Sequence, residues 1–171
     1  MGFRRRAVIA LAGCAALAAA PVRAQAFPPT EAGARALIAQ FAPGSTVDVD
    51  AAMTRLRPTA TDYRTVYGEP RASRLEAAHR QLWASGQVIA GKAGQTEILV
   101  VFASTDDLIA GKPVAGEFPG GYAKVAGDLR PGVPIVRFKF VEPGKTAGMA
   151  FDGLVHVNGR WVFIPGPWRV D

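Results

Sequence analysis

Cysteine is nearly missing from this chain: Cys14 is the only one among 171 residues. Disulfides, thiolate nucleophiles, cysteine-ligated zinc and iron–sulfur clusters are therefore excluded for any product that has lost its first residues. Histidine is almost as scarce, with only His79 and His156. A metal site would have to gather carboxylates from separate elements, and no ligand-spaced motif does so. No metal and no cofactor is expected. H-E-x-x-H and G-x-S-x-G are both missing. Residues 86–93, GQVIAGKA, approach a phosphate-binding loop, but Ala93 stands where a hydroxyl should meet magnesium and a helical pattern precedes the stretch instead of a strand. No apolar run reaches the ~20 residues of a membrane-spanning helix.

The amino terminus carries an address. Arg4, Arg5 and Arg6 precede an apolar run from Ala7 to Ala20, broken by Gly13 and Cys14, and Val22-Arg23-Ala24 offers small residues before a cut. Residues 1–24 read as a secretory signal peptide, and the product is expected in the periplasm or outside the cell. Two other readings fit the segment. Leu11-Ala12-Gly13-Cys14 resembles a lipobox, which would leave a lipid anchor on Cys14, and Arg5-Arg6 resembles a twin-arginine signal. Loss of residues 1–24 removes four arginines and no acid, so the formal charge falls from +6 to +2. A nearly neutral chain without a basic cluster gives no reason to expect nucleic acid.

Residues 25–29 form a short lead-in, and residues 30–171 read as one α+β domain. Thr30 caps a first helix with Ala34, Leu37, Ile38 and Phe41 on one face, and Asp48 caps a second with Val49, Ala52, Met53 and Leu56. Thr59 to Asp62 spell a T-x-x-D capping box for a short helix through Tyr63 and Tyr67. Pro70 opens a longer helix whose apolar stripe runs Ala72, Leu75, Ala78 or His79, Leu82 and Trp83, with Glu76 and Arg80 paired on the outside.

The period then changes. Glu97 to Ala103 is a continuous apolar run, expected as a strand buried on both faces, and Ser104 to Gly111 as one helical turn. Pro113 to Pro131 reads as a long Gly/Pro-rich connection containing FPGGY, Phe118 to Tyr122. Loops of that length are often lids or binding segments. From Val133 the pattern predicts an antiparallel meander: a strand with Val136, Phe138 and Phe140 on one face, a second from Thr146 to Val157, and a third from Arg160 to Ile164. Asn158-Gly159 is a type I′ hairpin signal. It pairs Val157 with Arg160, His156 with Trp161, Val155 with Val162 and Leu154 with Phe163.

That register sorts the side chains. Phe151, Val155, Val162 and Ile164 fall on a core face, and Asp152, Leu154, His156, Trp161 and Phe163 on a mixed one. Asp152, His156, Trp161 and Phe163, with Tyr122 of FPGGY, are the candidate pocket, suited to a small apolar or aromatic ligand. No residue is assigned a catalytic role. Asp152 and His156 are four strand residues apart, about 13.6 Å at ~3.4 Å each, too far for a hydrogen bond.

Helices first, then a strand, a long excursion and the closing run GKTAGMAFDGLVHVNGRWVFIPGPW: this layout resembles the cone-shaped α+β proteins of the nuclear transport factor two-like superfamily. The resemblance implies N-terminal helices packed on a curved, mainly antiparallel sheet ending in a three-stranded meander, with a cavity at one end. Leu56-Arg57-Pro58-Thr59, Asp62-Tyr63 and FPGGY also resemble phrases of exported bacterial proteins, which imply no activity. The leading expectation is a small-molecule-binding or accessory domain. The alternatives are a hydrolase, isomerase or dehydratase using His156 or His79 with Asp152, and a lipid-anchored interaction module held through Cys14.

Overall fold

The computed structural model describes residues 27–86 and 89–170. The expected signal segment, its cut site and Cys14 lie outside the described residues.

Four helices come first: α1 Glu31–Ile38, α2 Val49–Leu56, α3 Ala60–Val66 and α4 Arg71–Ala84. Their starts are set by short polar side chains that satisfy otherwise unpaired N–H groups. Thr30 accepts from Gly33 N, and Asp48 from Ala51 N. Thr59 and Asp62 close a reciprocal capping box at α3. Strand β1, Glu97–Ser104, leads into α5, Thr105–Ile109, under a second capping box between Ser104 and Asp107. The chain then runs through α6, Tyr122–Val125, to β2 Pro134–Val141, β3 Gly148–Val157 and β4 Arg160–Phe163.

The fold is α+β, with one four-stranded antiparallel sheet in the order β1-β2-β3-β4. Alternating residues of the sheet feed two separate cores, because successive side chains of a strand point to opposite faces. Val136, Phe138, Phe140, Leu154, Trp161 and Phe163 pack on α1 and α2. Ile135, Val155, Val157, Val162 and Ile164 pack on α3 to α6. Helices therefore cover both faces. Strand β1 is an edge strand, and its apolar residues from Ile98 to Phe102 are half-buried, where the sequence predicts burial on both sides.

The closing hairpin has the predicted register, with His156 opposite Trp161 and Leu154 opposite Phe163. Asn158 and Gly159 take φ of 52° and 77°, as a type I′ turn demands. The side-chain sorting fails one step further on. Pairing between β2 and β3 slips between Val136 and Phe138, so Asp152 and Gly153 together oppose Arg137. Gly153 has φ 80°, and Ile164 donates its N–H to Gly153 O at 2.8 Å. This bulge reverses the phase of β3. Phe151, expected beside Val155, instead stacks on Phe138 with ring centroids 5.2 Å apart, in the other core.

The long connection is not an open lid. It forms a 3-10 turn at Pro113–Glu117, α6, and another turn at Ala126–Asp128. Phe118, Tyr122, Val125 and Leu129 are all core residues.

Candidate functional site

The bulge divides the five candidate pocket residues between the two faces. Asp152 joins Tyr122 on the α6 side: the Tyr122 hydroxyl donates to Asp152 Oδ1 at 3.2 Å, and Gly166 N donates to the same oxygen at 3.0 Å. Tyr122 is buried between Phe118 and Trp168, with centroids at 5.6 Å and 4.9 Å. Burial raises the pKa of Asp152 from the ordinary aspartate value, only partly offset by Gly166, Tyr122 and the charges of Arg169 and Arg137. The Tyr67 hydroxyl, fully buried and within the field of Asp152, has no hydrogen-bond partner among the described residues.

His156, Trp161 and Phe163 stand on the opposite face. His156 meets Trp161 edge-on at 5.2 Å, and burial holds its pKa below the ordinary value. Trp161 Nε1 donates to Phe27 O and Pro28 O at 3.1 and 3.3 Å, so the lead-in is pinned over this ring. Phe163 borders a pit with Met53, Leu82 and Trp83 that has essentially no free volume. The five residues do not form one site.

Another set of residues does converge. A cleft of about 360 Å³ opens between the α2–α3 junction and α4, lined by Arg57, Pro58, Ala60, Tyr63, Glu76, Arg80 and Trp83. Its walls follow from local rules. Glu76, Arg80 and Trp83 are spaced i, i+4, i+7 and so share one stripe of α4, while Ala72, Leu75 and His79 occupy the adjoining buried stripe. Arg57 is the C-cap of α2, Pro58 follows it, and the Thr59–Asp62 capping box fixes where α3 starts. Glu76 does not pair with Arg80 as the sequence predicts; Glu76 Oε2 lies 3.7 Å from Arg64 Nη2.

At the floor, Tyr63 Oη lies 3.1 Å from His79 Nδ1. Burial raises the pKa of the Tyr63 hydroxyl, the Trp83 indole opposes this, and the charges of Glu76 and Arg57 pull in opposite directions. The hydroxyl thus feels the charges of both walls. His79 is buried, which lowers its pKa, and a hydrogen bond with the Pro165 backbone partly restores it. Proline offers only a carbonyl, so a ring N–H must donate to it. With Nδ1 facing Tyr63, the tautomer that serves both partners carries its hydrogen on Nε2 and accepts the Tyr63 hydroxyl on Nδ1.

The donors at the mouth are unspent. Nearby ion pairs join Arg64 to Glu69 and Glu76, and Arg160 to Asp62, leaving Arg57 and Arg80 without a carboxylate partner among the described residues. Trp83 Nε1 is buried beside the Tyr63 hydroxyl, short of full hydrogen-bond geometry among the described residues, and does not reach the mouth. The sequence signal for this cleft is Trp83 itself: counted with Leu75 and Leu82 it extends an apolar stripe, but helical spacing also sets it on the charged stripe of Glu76 and Arg80.

A smaller hollow of about 210 Å³ lies over Leu99 and Val101 on the sheet, flanked by Arg137 and Lys139. Among the described residues, no cluster of three or more His, Cys, Asp and Glu is placed to hold a metal ion, and no helix is long and apolar enough to cross a membrane. Compared with protein-family models, curated proteins and solved structures, the chain matches none.

Proposed function

We propose that this is an exported small-molecule-binding protein, acting in the periplasm or outside the cell, whose ligand occupies the cleft between the α2–α3 junction and α4. The observation that carries this reading is the convergence of two guanidinium groups on one cavity: Arg57 and Arg80, which have no carboxylate partner among the described residues, line a space of about 360 Å³ together with Trp83. That size falls within the ~300–1,000 Å³ of small-molecule sites. The layout resemblance to the cone-shaped superfamily does not choose among functions, since one scaffold serves many.

Thermal melting of the purified protein against a library of small organic molecules tests the reading. A ligand should raise the melting temperature of the parent and leave Ala60→Trp, which fills the cleft, unmoved. A library without any stabilising compound, or a shift that survives Ala60→Trp, overturns it. Export is tested separately by mass spectrometry of the amino terminus in cells: a chain beginning at Gln25 supports signal cleavage, and an acylated Cys14 supports the anchored form.

A second reading, acid–base catalysis on a small substrate, has the Tyr63–His79 contact behind it. Asp152 and His156, the other groups considered for that role, are separated by the sheet. Turnover lost in both Tyr63→Phe and His79→Gln, with ligand binding kept, would favour it over simple binding.

A further inference from the structure

We infer that the ligand of the α4 cleft is an aromatic monocarboxylate, its carboxylate held by Arg57 and Arg80 and its ring laid against Trp83 and Pro58. This inference rests on the reading of the cleft as a ligand site and adds the chemistry of the occupant.

Charge decides first. Two guanidinium groups and one carboxylate, Glu76, line the cleft. Glu76 is already within 3.7 Å of Arg64, so it does not neutralise the two arginines of the mouth. The surplus calls for an anion, but a second negative charge on the ligand would meet Glu76. A single carboxylate fits. Guanidinium also matches it in shape, because the planar fork donates two parallel hydrogen bonds to the two oxygens.

The remaining walls decide the body of the ligand. Trp83, Pro58 and Ala60 offer apolar surface. Flat indole and pyrrolidine walls favour a flat ring over a branched chain. The volume, near the lower end of ligand sites, suits a single ring.

The sheet hollow is the rival cationic site, and both of its cations are anchored to backbone carbonyls. Arg137 Nη1 donates to Glu117 O at 2.6 Å, and Lys139 Nζ to Thr146 O at 3.1 Å. An anion there would compete with those carbonyls for the orientation of both side chains, whereas Arg57 and Arg80 carry no such tie among the described residues.

Calorimetric titration of the purified protein with benzoate, its neutral isostere benzamide and the dianion terephthalate tests the inference. Benzoate should bind at least tenfold more tightly than either of the others, and more weakly as salt rises. Arg57→Gln and Arg80→Gln should each weaken benzoate roughly tenfold and benzamide by much less, with a melting temperature equal to the parent's as the control for folding. Equal affinity for benzoate and benzamide, or benzoate binding indifferent to both arginine variants, overturns the carboxylate assignment and leaves the cleft as a ligand site. Terephthalate binding as tightly as benzoate overturns the single charge. If none of the three binds while the library compounds still do, the aromatic acid is wrong; if nothing binds at all, the cleft reading fails with it.

Discussion

Arg160 Nη2 stands 2.5 Å from Asp62 Oδ2, tying the β3–β4 turn to the first turn of α3. The same guanidinium donates to Arg55 O at 2.8 Å and Arg57 O at 3.1 Å, satisfying the open carbonyls at the end of α2. Asn158 Nδ2 donates to the other Asp62 oxygen at 2.7 Å. One carboxylate thereby joins the Asn-Gly corner, two helix ends and the Arg57 wall of the cleft.

Asp62→Ala should accordingly cost about 2–3 kcal/mol, the range for leaving buried partners unsatisfied, kept modest because Arg160 is partly exposed. The melting temperature should fall by roughly 6–10 °C. The pH dependence has a defined sign. Burial would raise the pKa of Asp62, but hydrogen bonds from the Thr59 backbone, Asn158 and the Thr59 hydroxyl, together with the Arg160 charge, hold it below the ordinary aspartate value of 3.8. Its contribution is present above that value and is lost as pH falls through the lower folded-state value. Melts recorded from pH 7 down to pH 2 should show an acid decline that Asp62→Asn flattens.

Gly153→Ala should be among the most damaging single substitutions. The residue holds φ 80°, and an added Cβ would meet Ile164 O at 2.0 Å. Positive φ alone costs a non-glycine residue about 1–3 kcal/mol, and the clash adds to it. A loss of roughly 3 kcal/mol or more in denaturant unfolding is expected; a loss below about 1 kcal/mol would mean that the bulge does not hold β3 in phase.

What the sequence made legible was local chemistry. The capping residues Thr30, Asp48, Thr59 and Ser104 announce helix starts, because each supplies an acceptor to an otherwise unpaired N–H. Asn158-Gly159 announces its turn through the positive φ both residues tolerate. The bulge was written less plainly. A glycine inside a strand pattern is its usual mark, yet Gly153 does not say whether Asp152 or Leu154 changes face, and that choice decided the fate of the candidate pocket. The short helices between Pro113 and Asp128 escaped notice because segments of three to five residues have too few turns to show a period. The cleft escaped because its walls, Arg57 and Arg80, come from different helices, and only tertiary packing brings them together.

Asp152→Asn offers a stability test of opposite sign to Asp62. A folded-state pKa raised chiefly by burial means that Asp152 contributes stability fully at pH below the ordinary aspartate value of 3.8 and loses it as pH rises through the folded value. Asparagine keeps an acceptor for the Tyr122 hydroxyl and Gly166 N, and its amide brings a donor near the unpartnered Tyr67 hydroxyl. The variant should melt above the parent at pH 8, with the gap closing towards pH 3. A variant that melts below the parent throughout would show that the ionised carboxylate is the stabilising form.

Tyr63→Phe tests the floor of the cleft. Removing the hydroxyl leaves His79 Nδ1 buried without a donor, a loss of about 1–2 kcal/mol in unfolding free energy. Because burial depresses the folded-state pKa of His79, its contribution is present above the ordinary histidine value of 6.5 and is lost as pH falls through the folded value. Stability of the parent should therefore decline below about pH 6, and His79→Gln should remove that step. Long-range nitrogen–proton spectra should place the His79 hydrogen on Nε2 at pH 7, facing Pro165. In Tyr63→Phe the apparent pKa of His79 should move, since a neutral ring that no longer accepts a hydrogen bond is the less favoured form, and protonation becomes easier. A histidine resonance that titrates at its ordinary value in the parent, unmoved by Tyr63→Phe, would remove the Tyr63–His79 contact from the floor of the cleft.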